Sequence, residues 1–162
     1  MARLVLWASR VLVFIGIAAA LTFAGAQMGL FTGTRPEKLG LFEGRLQPVK
    51  KNAQNAVSSF SDSEYSQIKP ISAAKDPRAT FARLVQAVKA TTGATIIQQD
   101  PNYLYVEFQT PLLKFVDDVE FLLDEGNAVI HVRSVSRLGR KDFGVNRKRI
   151  ETLREAVRTT LG

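Results

Sequence analysis

RSVSRLGRKDFGVNRKR, residues 133–149, is the stretch around which the rest of the chain is organised. It is predicted to begin in the last half of a β-strand, to pass through a glycine-containing turn and to open a helix. It holds seven Lys or Arg residues and one acid, Asp142. Immediately upstream, DDVEFLLDE (residues 117–125) has five acids and no base. Two stretches of opposite charge are therefore neighbours along the chain.

A β-hairpin is predicted between these stretches, because Gly126-Asn127 is a two-residue hairpin signal flanked by alternating apolar residues. If Gly126-Asn127 is the turn, the pairing register follows by counting outward from it. The expected core-face pairs are Phe121 with Val132 and Leu123 with Ile130. On the face predicted to point outward, Asp118 and Glu120 follow each other along one strand, with Glu120 opposite Arg133 and Leu122 opposite His131.

The elements around the hairpin predict an α+β domain over residues 76–162. Asp76 and Pro77 start a helix whose apolar residues recur at helical spacing, and Gly93 ends it. Strands are expected at residues 94–98 and 103–109. The last helix starts between Asp142 and Asn146, with an apolar stripe that includes Leu161 and with Arg149 among the basic residues on its solvent side. The predicted fold is an antiparallel sheet of about four strands with two helices packed on one face.

Two further segments precede this domain. Residues 1–31 contain an apolar run after Arg3 and Arg10 that is long enough to cross a bilayer as a helix. The same segment resembles a secretory signal, with Ala24-Gly25-Ala26 as a cleavage site. An uncleaved single-pass anchor with an exported domain is the preferred interpretation, and a cleaved secreted form is the alternative. Residues 32–75 are predicted to be an extended, loop-rich lead-in, with a short edge strand at Lys69-Pro70-Ile71.

Composition limits the chemistry that the chain could carry. The net charge of +7 and the pI of about 10.0 favour an anionic partner, such as an anionic small molecule or lipid. There is no cysteine, and His131 is the single histidine. Disulfides, zinc–thiolate sites, cysteine nucleophiles and multi-histidine metal sites are therefore excluded. No cofactor and no metal ligand set is predicted.

The charged residues of the two stretches leave two interpretations open. In the first, they form a structural ion-pair cluster that locks the hairpin to the last helix, with Asp117, Asp118, Glu120 and Asp142 paired to Arg133, Arg137 and Arg147. In the second, the cluster binds a phosphate, sulfate or carboxylate, because arginine forks bind such groups bidentately. The residues of that ligand site would be Arg133, Ser134, Ser136, Arg137, Asn146 and Arg147.

Other functions are weighed against specific residues. General acid–base catalysis by Asp118 and Glu120 needs a raised carboxyl pKa, and neighbouring arginines would lower it. Tyr103 and Tyr105 could stack nucleic-acid bases on the sheet, but the acids on the same face would repel phosphates. No catalytic residue is therefore assigned, nucleic acid is not the expected partner, and an enzyme is not the preferred interpretation.

The run FVDDVEFLLD followed by HVRSVSRLGRKDFGVNRKRIETLR closely resembles the domain-of-unknown-function family 1499. A second similarity lies in the entry segment, at Gly44-Arg45-Leu46 and residues 55–59. The family often carries two cysteines near the positions of Val49 and Ala56, and both are absent here. The resemblance implies a bacterial or plastid protein, often behind a membrane segment or lipoprotein signal, with no assigned reaction. The sequence thus predicts a membrane-anchored, non-catalytic accessory or binding module, with an enzyme or small-ligand carrier as the alternative.

Overall fold

The computed structural model describes residues 1–159, so the predicted apolar position at Leu161 lies outside the described residues. A long N-terminal helix is followed by a small hairpin, two short strands, a helix, four longer strands and a last helix. The elements are α1 (Ala2–Gln27), β1 (Leu41–Phe42), β2 (Arg45–Leu46), β3 (Ala56–Ser58), β4 (Ile71–Ser72), α2 (Pro77–Lys89), β5 (Ala94–Gln99), β6 (Tyr103–Gln109), β7 (Val116–Asp124), β8 (Val129–Ser136) and α3 (Val145–Thr159).

The main sheet has six strands in the order β3-β8-β7-β6-β5, with β4 also paired to β8, and every pairing is antiparallel. The prediction of about four strands was therefore wrong in number, although the α+β class is confirmed. The two additional strands, β3 and β4, come from the lead-in and are only two or three residues long. Segments this short show no period-2 pattern, so only the edge strand near Ile71 was expected.

The hairpin register is the one predicted from Gly126-Asn127. Phe121 pairs with Val132, and Glu120 pairs with Arg133. Leu123 pairs with Ile130, and the Cα partner of Leu122 is His131. The strands end at Asp124 and Val129, so the turn takes up residues 125–128 rather than two residues, and the predicted pair of Glu125 with Ala128 is not part of the ladder. The register is nevertheless the predicted one, since a shift by one residue would move every apolar side chain to the opposite face.

Helices α2 and α3 pack on one face of the sheet and form the main core with it. Helix α2 starts as expected, since the Asp76 carboxylate accepts a hydrogen bond from the Ala79 N–H at 3.0 Å. It is followed by Gly93 at φ +81°, where a Cβ would lie 2.4 Å from the Gln109 carbonyl oxygen. Gly93 therefore allows α2 and β5 to approach β6 closely.

The second face of the sheet is covered by the lead-in. Leu39, Leu46 and Phe60 pack there against Tyr103, Tyr105 and Leu122. The prediction that Asp118 and Glu120 point outward to solvent was wrong, because they are 1% and 0% exposed. Alternation assigned the right face to each residue, but it could not show that a loop-rich segment would lie over that face.

Helix α1 projects from the domain without packing against it over most of its length. It is 26 residues long, and large apolar side chains along it, such as Trp7 and Phe14, are exposed at 66% and 74%. By length and composition, Arg3–Gln27 is long and apolar enough to cross a membrane, a test that N-terminal signal sequences also pass.

Candidate functional site

The second face of the sheet contains a buried polar network, which we call the second-face network. Its members are three carboxylates, two arginines and two tyrosines that lie on β6, β7 and β8 or, for Arg137, directly after β8: Glu107, Asp118, Glu120, Arg133, Arg137, Tyr103 and Tyr105. They share one face because strand residues two apart point the same way. Carboxylates and guanidinium groups are rarely buried unless they are paired, so the partners of each group decide what the network can do.

Glu120 is the deepest carboxylate of the second-face network. Its Oε2 accepts a hydrogen bond from Arg133 Nη1 at 2.6 Å. Its Oε1 accepts one from the Tyr103 hydroxyl at 2.8 Å and one from the Gly40 N–H at 2.7 Å. The contact with Gly40 ties the lead-in to the sheet. Both carboxylate oxygens are thus occupied by partners from the chain itself.

Arg137 holds the second half of the network. Its Nε and Nη2 bind the two oxygens of Asp118 at 2.9 and 2.7 Å, which is the bidentate fork of a strong arginine–carboxylate pair. Nη2 also contacts Glu107. The Tyr105 hydroxyl donates to Asp118 at 2.5 Å, and Arg35 of the lead-in donates to Glu107 at 2.6 Å. The lead-in is therefore fixed to the sheet at a second point.

The network perturbs the ionisation of its members. Burial, together with the carboxylates that accept their hydrogen bonds, raises the pKa of Tyr103 and of Tyr105 well above the usual value of 10.0. Burial would raise the pKa of the Glu107 carboxyl, but hydrogen bonds from Arg35 and Arg137 outweigh it and hold that pKa below its usual value of 4.5. Hydrogen bonds from its side chain to Asp118 raise the pKa of Arg137. The two phenols therefore stay neutral, and the Glu107–Arg137 pair stays charged, at neutral pH.

The raised tyrosine pKa values predict a loss of stability at alkaline pH. A phenol whose folded pKa lies above its unfolded value of 10.0 favours folding below pH 10, and this contribution is lost as pH rises through the folded pKa. Above about pH 10, each buried phenol lowers the free energy of unfolding by up to about 1.4 kcal/mol per pH unit.

A spectrophotometric titration checks this prediction. The full chain is expected to show tyrosinate absorbance from Tyr103 and Tyr105 only when it unfolds, as followed by circular dichroism. The double variant Tyr103→Phe, Tyr105→Phe is the control and should lack that late part of the absorbance change. Early ionisation of both phenols in the folded chain would contradict the burial argument.

A separate polar group lies on the opposite, helix-covered face, around Asn146 at the start of α3. Asn146 is fully buried, and its Nδ2 donates to Ser136 Oγ at 2.9 Å and to the Asn55 carbonyl oxygen at 3.2 Å. Its Oδ1 accepts from Ser134 and, at 2.8 Å, from Arg149 Nη1. These bonds join β8 and α3 to Asn55, the residue directly before β3.

Arg149 and Asp142 complete this helix-face group. Arg149 Nη2 binds Asp117 Oδ2 at 2.5 Å, and its guanidinium lies 4.8 Å from the centre of the Phe108 ring. The placement of Arg149 on the solvent side of α3 was therefore wrong, because the side chain turns back to the acid on β7. Asp142 accepts from the Gly144 N–H at 3.0 Å and the Asn146 N–H at 2.9 Å, as a helix cap does.

The sheet separates the residues proposed for the ligand site. Arg133 and Arg137 lie on the second face, whereas Ser134, Ser136 and Asn146 lie on the helix face. Arg147 belongs to neither group, since its Nη2 donates to the carbonyl oxygens of Tyr65 and Gln67, each at 2.8 Å. The structure therefore does not bring the six together in one cleft, and ligand binding stays a prediction.

The residues assigned to the ion-pair cluster are also divided. Asp118 and Glu120 lie with Arg137 and Arg133 in the second-face network, whereas Asp117 faces α3. Sequence reasoning did not assign a role to Tyr103, Tyr105, Glu107, Arg35 or Arg149 in this cluster. The alternation along β6 could have indicated Tyr103, Tyr105 and Glu107, because it places them on the same face as Asp118 and Glu120. Within residues 1–159, no group of three or more Asp, Glu or His side chains is placed to hold a metal ion.

The fold and these networks define the class of the protein: an α+β domain, internally cross-linked by buried ion pairs, that follows an apolar helix able to span a membrane. The chain belongs to the family described as protein of unknown function (DUF1499), whose model matches residues 46–157. The resemblance seen in the motif at the start of α3 is thereby confirmed. The search of curated proteins gave no match to the chain.

Proposed function

We propose that the chain is a membrane-anchored accessory or binding module, without catalytic activity, whose domain is held in the membrane by α1. One observation carries this proposal: a 26-residue apolar helix exposes large side chains such as Leu12 and Phe14 to the surroundings of the domain. In water these side chains would be unfavourably hydrated, whereas in a bilayer each finds an apolar environment. A core helix would instead have buried them.

The orientation is part of the proposal. Arg3 and Arg10 precede most of the apolar run, which favours a cytoplasmic N-terminus and an exported domain, by the rule that positive charges stay inside. Arg35 and Lys38 follow the helix and reduce that asymmetry. The secreted alternative requires cleavage after Ala26, which is fully buried at the end of α1.

The absence of catalysis is proposed from the partners of the charged groups. The Glu120 carboxylate accepts hydrogen bonds from Arg133, Tyr103 and the Gly40 N–H, and the Asp118 carboxylate accepts them from Arg137 and Tyr105. A general base in this position would first have to lose an arginine partner. The alternative, binding of an anionic small molecule by Arg133 or Arg137, expects native mass spectrometry of the full chain to show a bound anion that Arg137→Ala loses.

Extraction of the native membranes tests the anchor. The chain is expected to resist alkaline carbonate, to need detergent for release, and to have the intact mass of residues 1–162. Because the chain lacks cysteine, the variant Asp62→Cys offers one labelling site in the domain. A membrane-impermeant maleimide should label it in intact cells if the domain is exported. A carbonate-soluble species beginning at Gln27 would overturn the anchor, and labelling only after lysis would overturn the export.

A further inference from the structure

Two loops meet at the end of the sheet from which α1 leaves. Residues 110–115 join β6 to β7, and residues 137–144 join β8 to α3. They are neighbours, because Gln109 pairs with Val116 and the Arg137 N–H donates to the Val116 carbonyl oxygen at 3.1 Å. We call these two segments the membrane-proximal loops.

The chain leaving α1 contacts both membrane-proximal loops. Gln27 Nε2 lies 3.4 Å from the Leu112 carbonyl oxygen. The rings of Phe31 and Phe115 lie 5.6 Å apart. A Cβ at Gly33 would lie 2.7 Å from the Cβ of Arg137. If α1 spans the bilayer, the place where it ends is the headgroup layer, so these loops face that layer.

The membrane-proximal loops expose apolar side chains that the domain does not use. Phe143 is 92% exposed, Leu112 63% and Leu138 40%. Phe143 also has φ +53°, a conformation that bulky residues rarely adopt. An aromatic ring held in water at a strained backbone position is costly to the isolated domain, and such positions gather at functional sites.

The membrane-proximal loops carry an excess of positive charge. The membrane-proximal loops carry Lys114, Arg140 and Lys141, and their one acid, Asp142, is occupied as the cap of α3. The opposite end, where β7 turns into β8, carries Asp124 and Glu125, and Glu125 is paired there with Arg78. The end nearer the membrane is thus basic, which matches the negative headgroups of an anionic bilayer.

We propose that the membrane-proximal loops dock on the anionic headgroup layer of the bilayer that holds α1, with Phe143, Leu112 and Leu138 inserted between headgroups and Arg140 and Lys141 on phosphates. This rests on the proposed membrane anchor. Docking holds the domain at a fixed height and tilt, because α1 and the two loops are attached to one surface. It leaves the acidic β7–β8 turn facing away from the membrane.

A fluorescent label on the full chain in lipid nanodiscs tests the docking. The cysteine-free sequence allows one label per variant, at Phe143→Cys or Leu112→Cys, and Gly126→Cys in the β7–β8 turn is the matched control. An environment-sensitive dye at positions 143 and 112 is expected to shift to shorter emission wavelength and to be quenched by lipids with a quencher near the headgroup. The dye at position 126 is expected to respond only to an aqueous quencher.

A charge variant gives the quantitative part of the test. With the dye at position 112, Arg140→Glu with Lys141→Glu should lower the docked-to-undocked ratio in anionic nanodiscs. The expected loss is at least about fivefold per residue, the equivalent of about 1 kcal/mol each. Lys69→Glu with Lys75→Glu makes the same change of charge outside the loops and should leave the ratio nearly unchanged.

The outcomes separate the docking from the anchor. Chains that enter nanodiscs but keep the dye at positions 112 and 143 in water would overturn the docking alone. A dye shielded from water but not quenched by lipid would indicate a second copy or a protein partner on the loops, and would also overturn it. Failure of the full chain to enter nanodiscs would overturn the anchor and the docking together.

Discussion

Arg137→Ala is expected to destabilise the domain by about 3–5 kcal/mol and to lower its thermal midpoint by about 10 °C. The Arg137 side chain is 6% exposed, and it neutralises Asp118, which is 1% exposed. Removal of the guanidinium leaves the buried Asp118 carboxylate with the hydrogen bond from the Tyr105 hydroxyl but without a positive charge beside it. An unpaired charge in the interior lowers the free energy of unfolding by more than the intact ion pair raises it. Circular dichroism of the full chain in detergent measures the change.

Two comparisons separate this effect from the general loss of a surface charge. Arg35 contacts the same network through Glu107, but its side chain is 52% exposed, so Arg35→Ala should cost at most about 1 kcal/mol. Arg137→Ala also removes one of the hydrogen bonds that hold the pKa of Glu107 below its usual value, so the loss of stability should be smaller near pH 4 than near pH 8. A midpoint equal to that of the unchanged chain would show that the pair is not structural, and would return Arg137 to the ligand-binding alternative.

The second-face network also explains how a lead-in with almost no regular structure is held in place. Gly40 donates to Glu120, Arg35 binds Glu107, and Leu46 packs beside the two tyrosines. The lead-in therefore donates hydrogen bonds to carboxylates that would be exposed to water if the three strands were alone. In return, the cover excludes solvent and strengthens each ion pair. Arg137→Ala is thus expected to loosen residues 33–46 as well as the sheet, which hydrogen exchange would detect at Gly40.

How far the sequence predicted the fold depended on local periodicity. The register of the hairpin from β7 to β8 was predicted correctly, since Gly126-Asn127 and the alternation on both sides allow one register. Helix α2 followed from Asp76 and its apolar spacing. Strand β3 was missed, because three residues carry no periodic signal and their pairing with β8 depends on a partner almost eighty residues away.

The site was harder to predict than the fold. Alternation alone places Arg133 and Ser134 on opposite faces, so a single ligand cluster containing both conflicts with the period of a strand. The partners of Arg149 and Asp117 depend on how α3 lies across the sheet, and that angle is set by packing rather than by either segment. Similarly, the burial of Glu120 depends on a loop that covers it, and no local pattern in residues 32–46 indicates a cover.

Asn146→Ala is the second large effect, with an expected loss of about 3 kcal/mol. Asn146 is fully buried and uses both ends of its amide, and its truncation leaves Ser134, Ser136 and Asn55 without their shared partner. Each buried polar atom left unpaired costs about 1–3 kcal/mol, and these costs overlap because the groups can partly rearrange. Chemical denaturation of the full chain in detergent should show the lower midpoint with an unchanged slope.

The chemistry of the amide, and not its volume, is the expected cause, and two variants test this. Asn146→Asp keeps the shape of the side chain but replaces its Nδ2 donor with an oxygen. In the unchanged chain this Nδ2 lies 2.9 Å from Asp142 Oδ2, so the new oxygen would face a carboxylate oxygen. This variant should destabilise the chain about as much as Asn146→Ala, because like charges repel and the bonds to Ser136 and the Asn55 carbonyl are lost. Asn127→Ala also removes amide hydrogen bonds, but at an exposed turn, and should cost less than about 0.5 kcal/mol. A stable Asn146→Asp variant would show that packing alone fixes the start of α3, and the polar link between Asn55, β8 and α3 would then have no structural role.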